Sequence, residues 1–340
     1  MLDKWWHLLL GTESGLRVIT VISRHLGVGF FYICYMNNHI LIFFLFISFF
    51  TKAQDTLMPV IFLDDVVISD ENNGFSVDDF IGYVKNDTTF YLGFKHLRYY
   101  EHKYKSELNV YNKKYVKIGT LNRIGTHYSD NKKAFTLDNS VYFDGKIYKK
   151  NGEYKLYTPE AFDDVFFPYD TIEVSLQIRK KKNPNDSQNM RDAKTIGFSI
   201  GTDNVEQSKG GIKKKLNIFD IDMQKYYTYT ISDTNYNNIP CYVFSVNVKN
   251  NIYENQKQKA LIRKVVSYFD KTNFNVIYRE YKFVYNNWFI KLDMDVVVNL
   301  DYVNNIHVPT SIYYEGYWKV LFFKSERTDF KLRLYDYVIE

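Results

Sequence analysis

The chain has 340 residues, of which 46% are hydrophobic and 18% aromatic, with Tyr 31 and Phe 27 leading. Its 44 basic and 39 acidic residues are mixed along the sequence for a net charge of +5, which excludes the concentrated basic face of a nucleic-acid binder. Two cysteines, Cys34 and Cys241, exclude a disulfide framework and a thiolate zinc cluster.

The first element in chain order is an export signal. Ile40 to Phe50 is apolar apart from Ser48, and it is too short for a spanning helix, which needs about 20 residues. Thr51-Lys52-Ala53 follows, with short side chains at the two positions a signal peptidase inspects, so cleavage after Ala53 is expected. The segment Met36-Asn-Asn-His before the apolar run carries no Lys or Arg. Two readings of residues 1–35 stand side by side. In the favoured one translation begins at Met36 and the upstream stretch has no structural role. In the other, Lys4, Arg17 and Arg24 form a cytoplasmic tail and Gly27–Phe50 an anchor, at the cost of placing Asn37, Asn38 and His39 near mid-membrane. Both place the body outside the cytoplasm, in the periplasm or at the outer-membrane periphery. The expected organisation is an extension over 1–35, a signal peptide over 36–53, a short strand and linker over 54–75, and a single β-rich domain over 76–340.

Val60 to Ile68 predicts a strand. Ser76 then offers a helix N-cap, with Asp78 and Asp79 in the first turn where the helix dipole favours acid. Phe80, Ile81, Val84, Tyr91, Phe94 and Leu97 recur at helical spacing, which predicts one helix to about Arg98, weakened at Asn86-Asp-Thr-Thr. Tyr104 to Val110, Tyr115 to Tyr128 and Val141 to Lys149 predict strands, "GEYKLYTPEAFDDVFFPYD" a helical turn and "TIEVSLQI" a further strand. Between about 179 and 215 the periodicity fades into a loop, with Thr195 to Ile200 as a short strand. Pro240–Val248, Leu261–Asp270, Phe274–Tyr285, Trp288–Val303 and Val308–Phe323 predict successive strands. Met294, Val296, Val298, Leu300 and Tyr302 fall on one face, while Asp295, Asn299 and Asp301 fall on the other, the alternation of a sheet with one wet side.

A helix followed by a long meander resembles the lipoprotein-carrier (LolA/LolB-like) superfamily. "VSYFDKTNFNVIYREYKF" is similar to that group's strand–turn–strand, and "DYVNNIHVPTSIYYEGYWKV" to a later hairpin in which Asn305 stands where glycine is more usual. "VDDFIGYVKNDTTFYLGFKHLRYY" and "YTPEAFDDVFFP", together with the meander, resemble exported proteins of Bacteroidetes. The likeness covers most of 76–323, and its motifs carry no catalytic residues. It implies a mainly β (α+β) fold, a strongly curved antiparallel sheet or half-barrel wrapping one N-terminal amphipathic helix around an apolar cavity.

The one match to a catalytic motif is Gly197-Phe-Ser-Ile-Gly201, the G-x-S-x-G form of a nucleophile elbow with Ser199 as nucleophile. The polar "TDNVEQSKGG" after it offers no helix face and the chain has no βαβ architecture, so the match reads as coincidence. Asp293 and Asp295 share a face, where hard-cation binding is conceivable but a solvated sheet face is the better account. The histidines have no paired-ligand spacing, so no metal and no cofactor is expected. The basic runs at 179–182 and 213–215 suit a solvated loop or peripheral contact with anionic lipid.

The leading expectation is a non-enzymatic cell-envelope protein that binds a lipid or lipoprotein acyl chain, with no nucleic-acid partner. Its candidate cavity lining is Trp288, Met294, Val298, Tyr302, Tyr314, Trp318 and Phe322. The alternative is an envelope scaffold or accessory subunit with a solid core that docks a protein partner. A serine hydrolase using Ser199 comes third.

Overall fold

The computed structural model describes residues 66–68, 77–176, 215–286, 290–320 and 325–339. All of them lie in one compact unit, 61–340. The expected leader at 36–53, the stretch 1–35, the Gly197–Gly201 motif, the basic run at 179–182, Trp288 and Phe322 lie outside the described residues.

Among the described residues twelve strands form a single sheet. They are β1 (Val66–Ile68), β2 (Glu101–Tyr111), β3 (Lys117–Ser129), β4 (Lys133–Gly145), β5 (Ile172–Glu173), β6 (Tyr227–Tyr236), β7 (Ile239–Val248), β8 (Ile262–Asp270), β9 (Val276–Asn286), β10 (Ile290–Val303), β11 (Ile306–Val320) and β12 (Glu326–Val338). Their spatial order is β1-β6-β7-β8-β9-β10-β11-β12-β2-β3-β4-β5. Among the described residues only β1 pairs in parallel, with β6, so eleven of these strands make a curved antiparallel sheet that does not close on itself. The expected mainly β architecture is the one observed.

Turn chemistry fixes two of the hairpins. Asn304 and Asn305 adopt φ of 48° and 64° between β10 and β11, and Asn237 and Asn238 adopt 50° and 65° between β6 and β7. A two-residue hairpin loop of this kind needs positive φ at both positions, and asparagine tolerates it.

Two strands have little sequence signal. β6 alternates clearly only at Tyr227 and Tyr229, before its exposed end at Asp233 to Asn235. β12 has just Phe330, Leu332 and Leu334 between Asp329, Lys331 and Arg333. Yet β12 joins the two halves of the sheet, pairing with β11 on one side and with β2 on the other. The meander therefore continues from the end of the chain into its beginning. β4 also begins earlier than expected, at Lys133, and ends at Gly145, where φ is +76°.

The predicted single helix is two: α1 (Val77–Asn86) and α2 (Thr89–Tyr99). The break follows from Asp87, whose carboxylate accepts hydrogen bonds from the Thr89 backbone N–H at 2.8 Å and from Thr89 Oγ1 at 2.5 Å. An aspartate that bonds the backbone two residues on favours a turn and a new helix start over continuation. A third helix, α3 (Tyr157–Phe166), forms where a helical turn is expected.

The helices cover the inner face of the sheet. Phe80 of α1 packs edge-on against Tyr242 and Phe269, with centroids 5.4 and 5.9 Å away. Phe162 of α3 stacks on Phe330 at 4.3 Å. The turn around Phe219 lies over Tyr229 and Phe244. Gly93 of α2 permits close approach to β10, since a β-carbon there would stand 2.6 Å from Leu300 Cδ2.

Candidate ligand-binding face

The candidate residues that the structure describes lie on β10 and β11. Val298 stands opposite Ile312, Val296 opposite Tyr314, Met294 opposite Gly316 and Leu292 opposite Trp318. Side chains two apart on a strand share a face, so Met294, Val298, Tyr314 and Trp318 form one inward strip. Met294, Val298 and Tyr314 are buried and Trp318 is half-buried. Tyr302 stands apart from them. It lies eight residues beyond Met294, about 26 Å at a strand's rise, and its hydroxyl accepts a hydrogen bond from Asn275 Nδ2 at 2.8 Å.

At the other end of the strip the packing is aromatic. The Tyr314 ring lies over Gly316, where a β-carbon would come within 2.8 Å of Tyr314 Cε1. Trp318 stacks on Tyr314 at 6.2 Å between centroids, and Phe162 meets Tyr314 edge-on at 4.9 Å. Tyr157, the first residue of α3, packs against Trp318 at 6.0 Å. Burial pushes the Tyr314 hydroxyl well above the usual phenol range. That of Tyr157 is pushed up to about 12 by burial and by the nearby Glu160.

Glu326 on β12 fixes α3 beside this strip. Its carboxylate accepts from the backbone N–H groups of Tyr157 and Thr158, at 3.0 and 2.9 Å, and from Thr158 Oγ1 at 2.6 Å. The residue before α3 is Leu156, which makes no side-chain cap. The cap comes instead from a strand 168 residues away in sequence. A carboxylate at this place satisfies orphan N–H groups and complements the helix dipole.

Two arginines point inward among the apolar residues, and sequence alternation alone assigned neither a role. Arg279 on β9 pairs with Asp87, and Arg123 on β3 pairs with Asp163 of α3, at 2.5 and 3.0 Å. Tyr154 also donates to Asp163, whose carboxyl is raised by burial against the lowering effect of Arg123. The available signal was phase: Arg279 is in step with Tyr281 and Phe283, and Arg123 with Leu121.

The wet face answers the carboxylate question. Lys282 pairs with Asp293 at 3.3 Å and with Asp295 at 2.6 Å, so both acids have a resident cation. Among the described residues no group of three or more potential ligands is placed to hold a metal ion. An open groove of about 580 Å³ crosses this face, lined by Tyr111, Tyr115, Tyr313, Tyr317, Arg327 and Asp329 among others. The Arg327 guanidinium sits over the Tyr115 and Tyr317 rings at 4.3 and 5.0 Å. His102 and His127, directly paired across β2 and β3, stack at 4.9 Å and spend ring nitrogens on the carbonyls of Tyr100 and Arg98. Among the described residues no helix is long and apolar enough to cross a membrane.

No family model matches the chain, and no curated protein does. Solved structures give slight likenesses. A domain assigned to outer membrane lipoprotein sorting, from Vibrio parahaemolyticus, aligns over 74% of this chain and 92% of its own, at 10% identity and a TM-score of 0.25. A DUF1329 family protein from Desulfovibrio piger covers 74% and 92%, at 9% identity and 0.22. Lipovitellin, in a structure concerned with its lipid–protein interactions, covers 70% of this chain and 25% of its own, at 9% identity and 0.24. At these TM-scores no residue role and no ligand passes from those proteins to this chain.

Proposed function

We propose that the chain is a non-enzymatic cell-envelope protein of a Gram-negative bacterium that binds an apolar or acyl-bearing ligand along the inner face of its open sheet. The observation that carries this reading is the strip on β10 and β11, where Met294 and Val298 run toward the half-buried Trp318 at the end of the sheet. A curved sheet that does not close leaves its inner face reachable from an end, and an apolar face of this kind suits ligand chemistry as well as core packing. Met294, Val298, Tyr314 and Trp318 are the central contacts in this account, and Trp288 and Phe322, outside the described residues, remain candidates from the sequence. Tyr302 belongs to the far end. The leader at 36–53 sends the body out of the cytoplasm, and the basic runs supply peripheral membrane contact. Titration of the full chain with N-phenyl-1-naphthylamine tests the reading: saturable fluorescence enhancement is expected, and a linear, non-saturating response would defeat it.

A second reading, a scaffold that docks a protein partner, is supported by β4. Its residues Val141, Tyr142 and Phe143 are 45%, 60% and 54% exposed, and among the described residues β5 pairs only with Lys133 and Ala134 at its start. Size-exclusion chromatography with light scattering tests it, since Tyr142→Lys should dissolve any assembly built on that strand.

A further inference from the structure

The open groove on the wet face lies on the other side of the sheet from Met294 and Val298, because its Asp293, Asp295, Tyr313, Glu315 and Tyr317 are out of phase with them along β10 and β11. At about 580 Å³ it falls within the ~300–1,000 Å³ of small-molecule sites. Arg327 is the group there whose chemistry is unspent. Its guanidinium lies over the Tyr115 and Tyr317 rings, its Nε is buried without a hydrogen-bond partner, and among the described residues it forms no ion pair. The nearby acids are engaged elsewhere: Asp293 and Asp295 with Lys282, and Asp329 with Asn109 Nδ2 at 2.9 Å and Tyr111 Oη at 2.7 Å. Glu315 is exposed and accepts one hydrogen bond, from Tyr313 Oη at 3.2 Å. It stands opposite Asp329, and Tyr317 opposite Arg327, so Glu315 and Arg327 are diagonal neighbours that do not meet. Tyr115 marks the same place by its backbone. Its φ is 59°, whereas Asn131, Asn237, Asn238, Asn304 and Asn305 account for most of the other positive values outside glycine. Such a conformation is an outlier for a bulky side chain and is common at ligand sites. Phe274, the other aromatic residue held this way, stacks on Tyr83 and Tyr242. Tyr115 is instead 67% exposed, with its ring against Arg327.

We propose that this groove binds an uncharged oligosaccharide, with Tyr115 against a sugar ring and Arg327 and Glu315 exchanging hydrogen bonds with its hydroxyls. A hydroxyl both donates and accepts, so neighbouring hydroxyls take a bond from Arg327 and give one to Glu315. Arg327 covers one face of the Tyr115 ring, and the exposed remainder suits the flat C–H face of a hexose. Charged ligands fit less well. An anion on Arg327 would lie among the carboxylates of Asp293, Asp295, Glu315 and Asp329, all of which line the groove, and like charge opposes it. An organic cation would seek the ring faces, but each ring has a resident cation: Arg327 over Tyr115 and Tyr317, Lys117 over Tyr111 at 6.0 Å and Lys331 over Tyr313 at 5.9 Å. The site is on the opposite face from the apolar strip and stands or falls apart from it.

Binding of the fluorescently labelled full chain to immobilised glycans tests this, with neutral oligomers of glucose, mannose, galactose and N-acetylglucosamine set beside uronic-acid and sulfated oligomers. Saturable binding to at least one neutral oligomer is expected, with competition by the same oligomer in solution. Tyr115→Asn and Arg327→Gln should each lower that affinity by about fivefold or more. Asparagine tolerates the left-handed backbone, so Tyr115→Asn should lose affinity while melting no lower than the parent, which separates lost ligand contact from lost fold. Binding to no neutral oligomer, binding confined to the charged ones, or an affinity unchanged in either variant would overturn the inference. So would a loss of affinity in Tyr115→Asn that appears only together with loss of fold.

Discussion

Asp87 and Arg279 stand 3.2 Å apart across the junction of the helix pair with β9, with 4% and 3% of their side chains exposed. Asp87 breaks the helix, and Arg279 holds that break against the sheet while lying 4.2 Å over the Phe90 ring and donating to Ser267 Oγ at 2.9 Å. Removing one partner strands a buried charge. Asp87→Ala should therefore cost about 3–5 kcal/mol, read as a fall in the urea midpoint. The double variant Asp87→Leu, Arg279→Met should recover most of that loss. A single variant within about 1 kcal/mol of the parent would contradict the role given to the pair.

Glu326 supplies the N-terminal cap of α3 from across the sheet. Glu326→Ala leaves the N–H groups of Tyr157 and Thr158 without their carboxylate, at a cost of about 1–2 kcal/mol. The effect should also reach the ring contacts, because Phe162 and Tyr157 meet Tyr314 and Trp318 through α3. Near-ultraviolet circular dichroism should lose intensity before the far-ultraviolet signal changes. An unaltered aromatic spectrum would show that α3 is placed by other contacts.

Gly316 is required by the ring above it. In Gly316→Val the new side chain competes with Tyr314 for the same space, so overpacking should cost about 1–3 kcal/mol. The stacked Trp318 should shift its emission maximum as Tyr314 moves. Unchanged stability together with unchanged emission would mean that the ring does not rest on this glycine.

Acid should weaken the fold through its buried histidines. His102 is held down to about 3 by burial and by the proximity of His127, and burial also lowers His96, His127 and His307. The unfolded chain takes up a proton on each below about pH 6.5. The folded chain resists that proton, so stability is full above pH 6.5 and drains as pH falls toward the folded value. Each such group steepens the loss by up to about 1.4 kcal/mol per pH unit. His102→Gln should flatten the slope of unfolding free energy between pH 6 and pH 4 (about one proton's worth). A slope equal to the parent's would contradict the burial argument.

Much of the sheet is legible in the sequence because β10 alternates closely, Met294, Val296, Val298 and Leu300 against Asp293, Asp295 and Asn299, with Val297 the exception, and Ile312, Tyr314 and Trp318 of β11 keep the same phase. The four strands from Pro240 to Val303 fall close to their expected places for the same reason. β12 is hard to read because its inward Phe330, Leu332 and Leu334 alternate with Asp329, Lys331 and Arg333, so its mean hydropathy is low although its pattern is regular. The helix break is hidden because Asp87 acts through a carboxylate bonded two residues on and an arginine 192 residues away. The same distance in sequence hides the cap on α3. For the candidate strip, periodicity identifies which side chains share a face. It does not reveal that Tyr302 lies at the opposite end from Trp318.

The central claim is that the inner face of β10 and β11 holds a guest. The direct measurement is organic extraction of the purified protein followed by mass spectrometry of the extract, with bovine serum albumin and a solid-core β protein treated alongside. Recovery of an apolar or acyl-bearing compound in near-equal molar amount to the chain is the predicted result. An extract with no acyl compound above the solid-core control, from protein that also gives no saturable response to N-phenyl-1-naphthylamine, would contradict it.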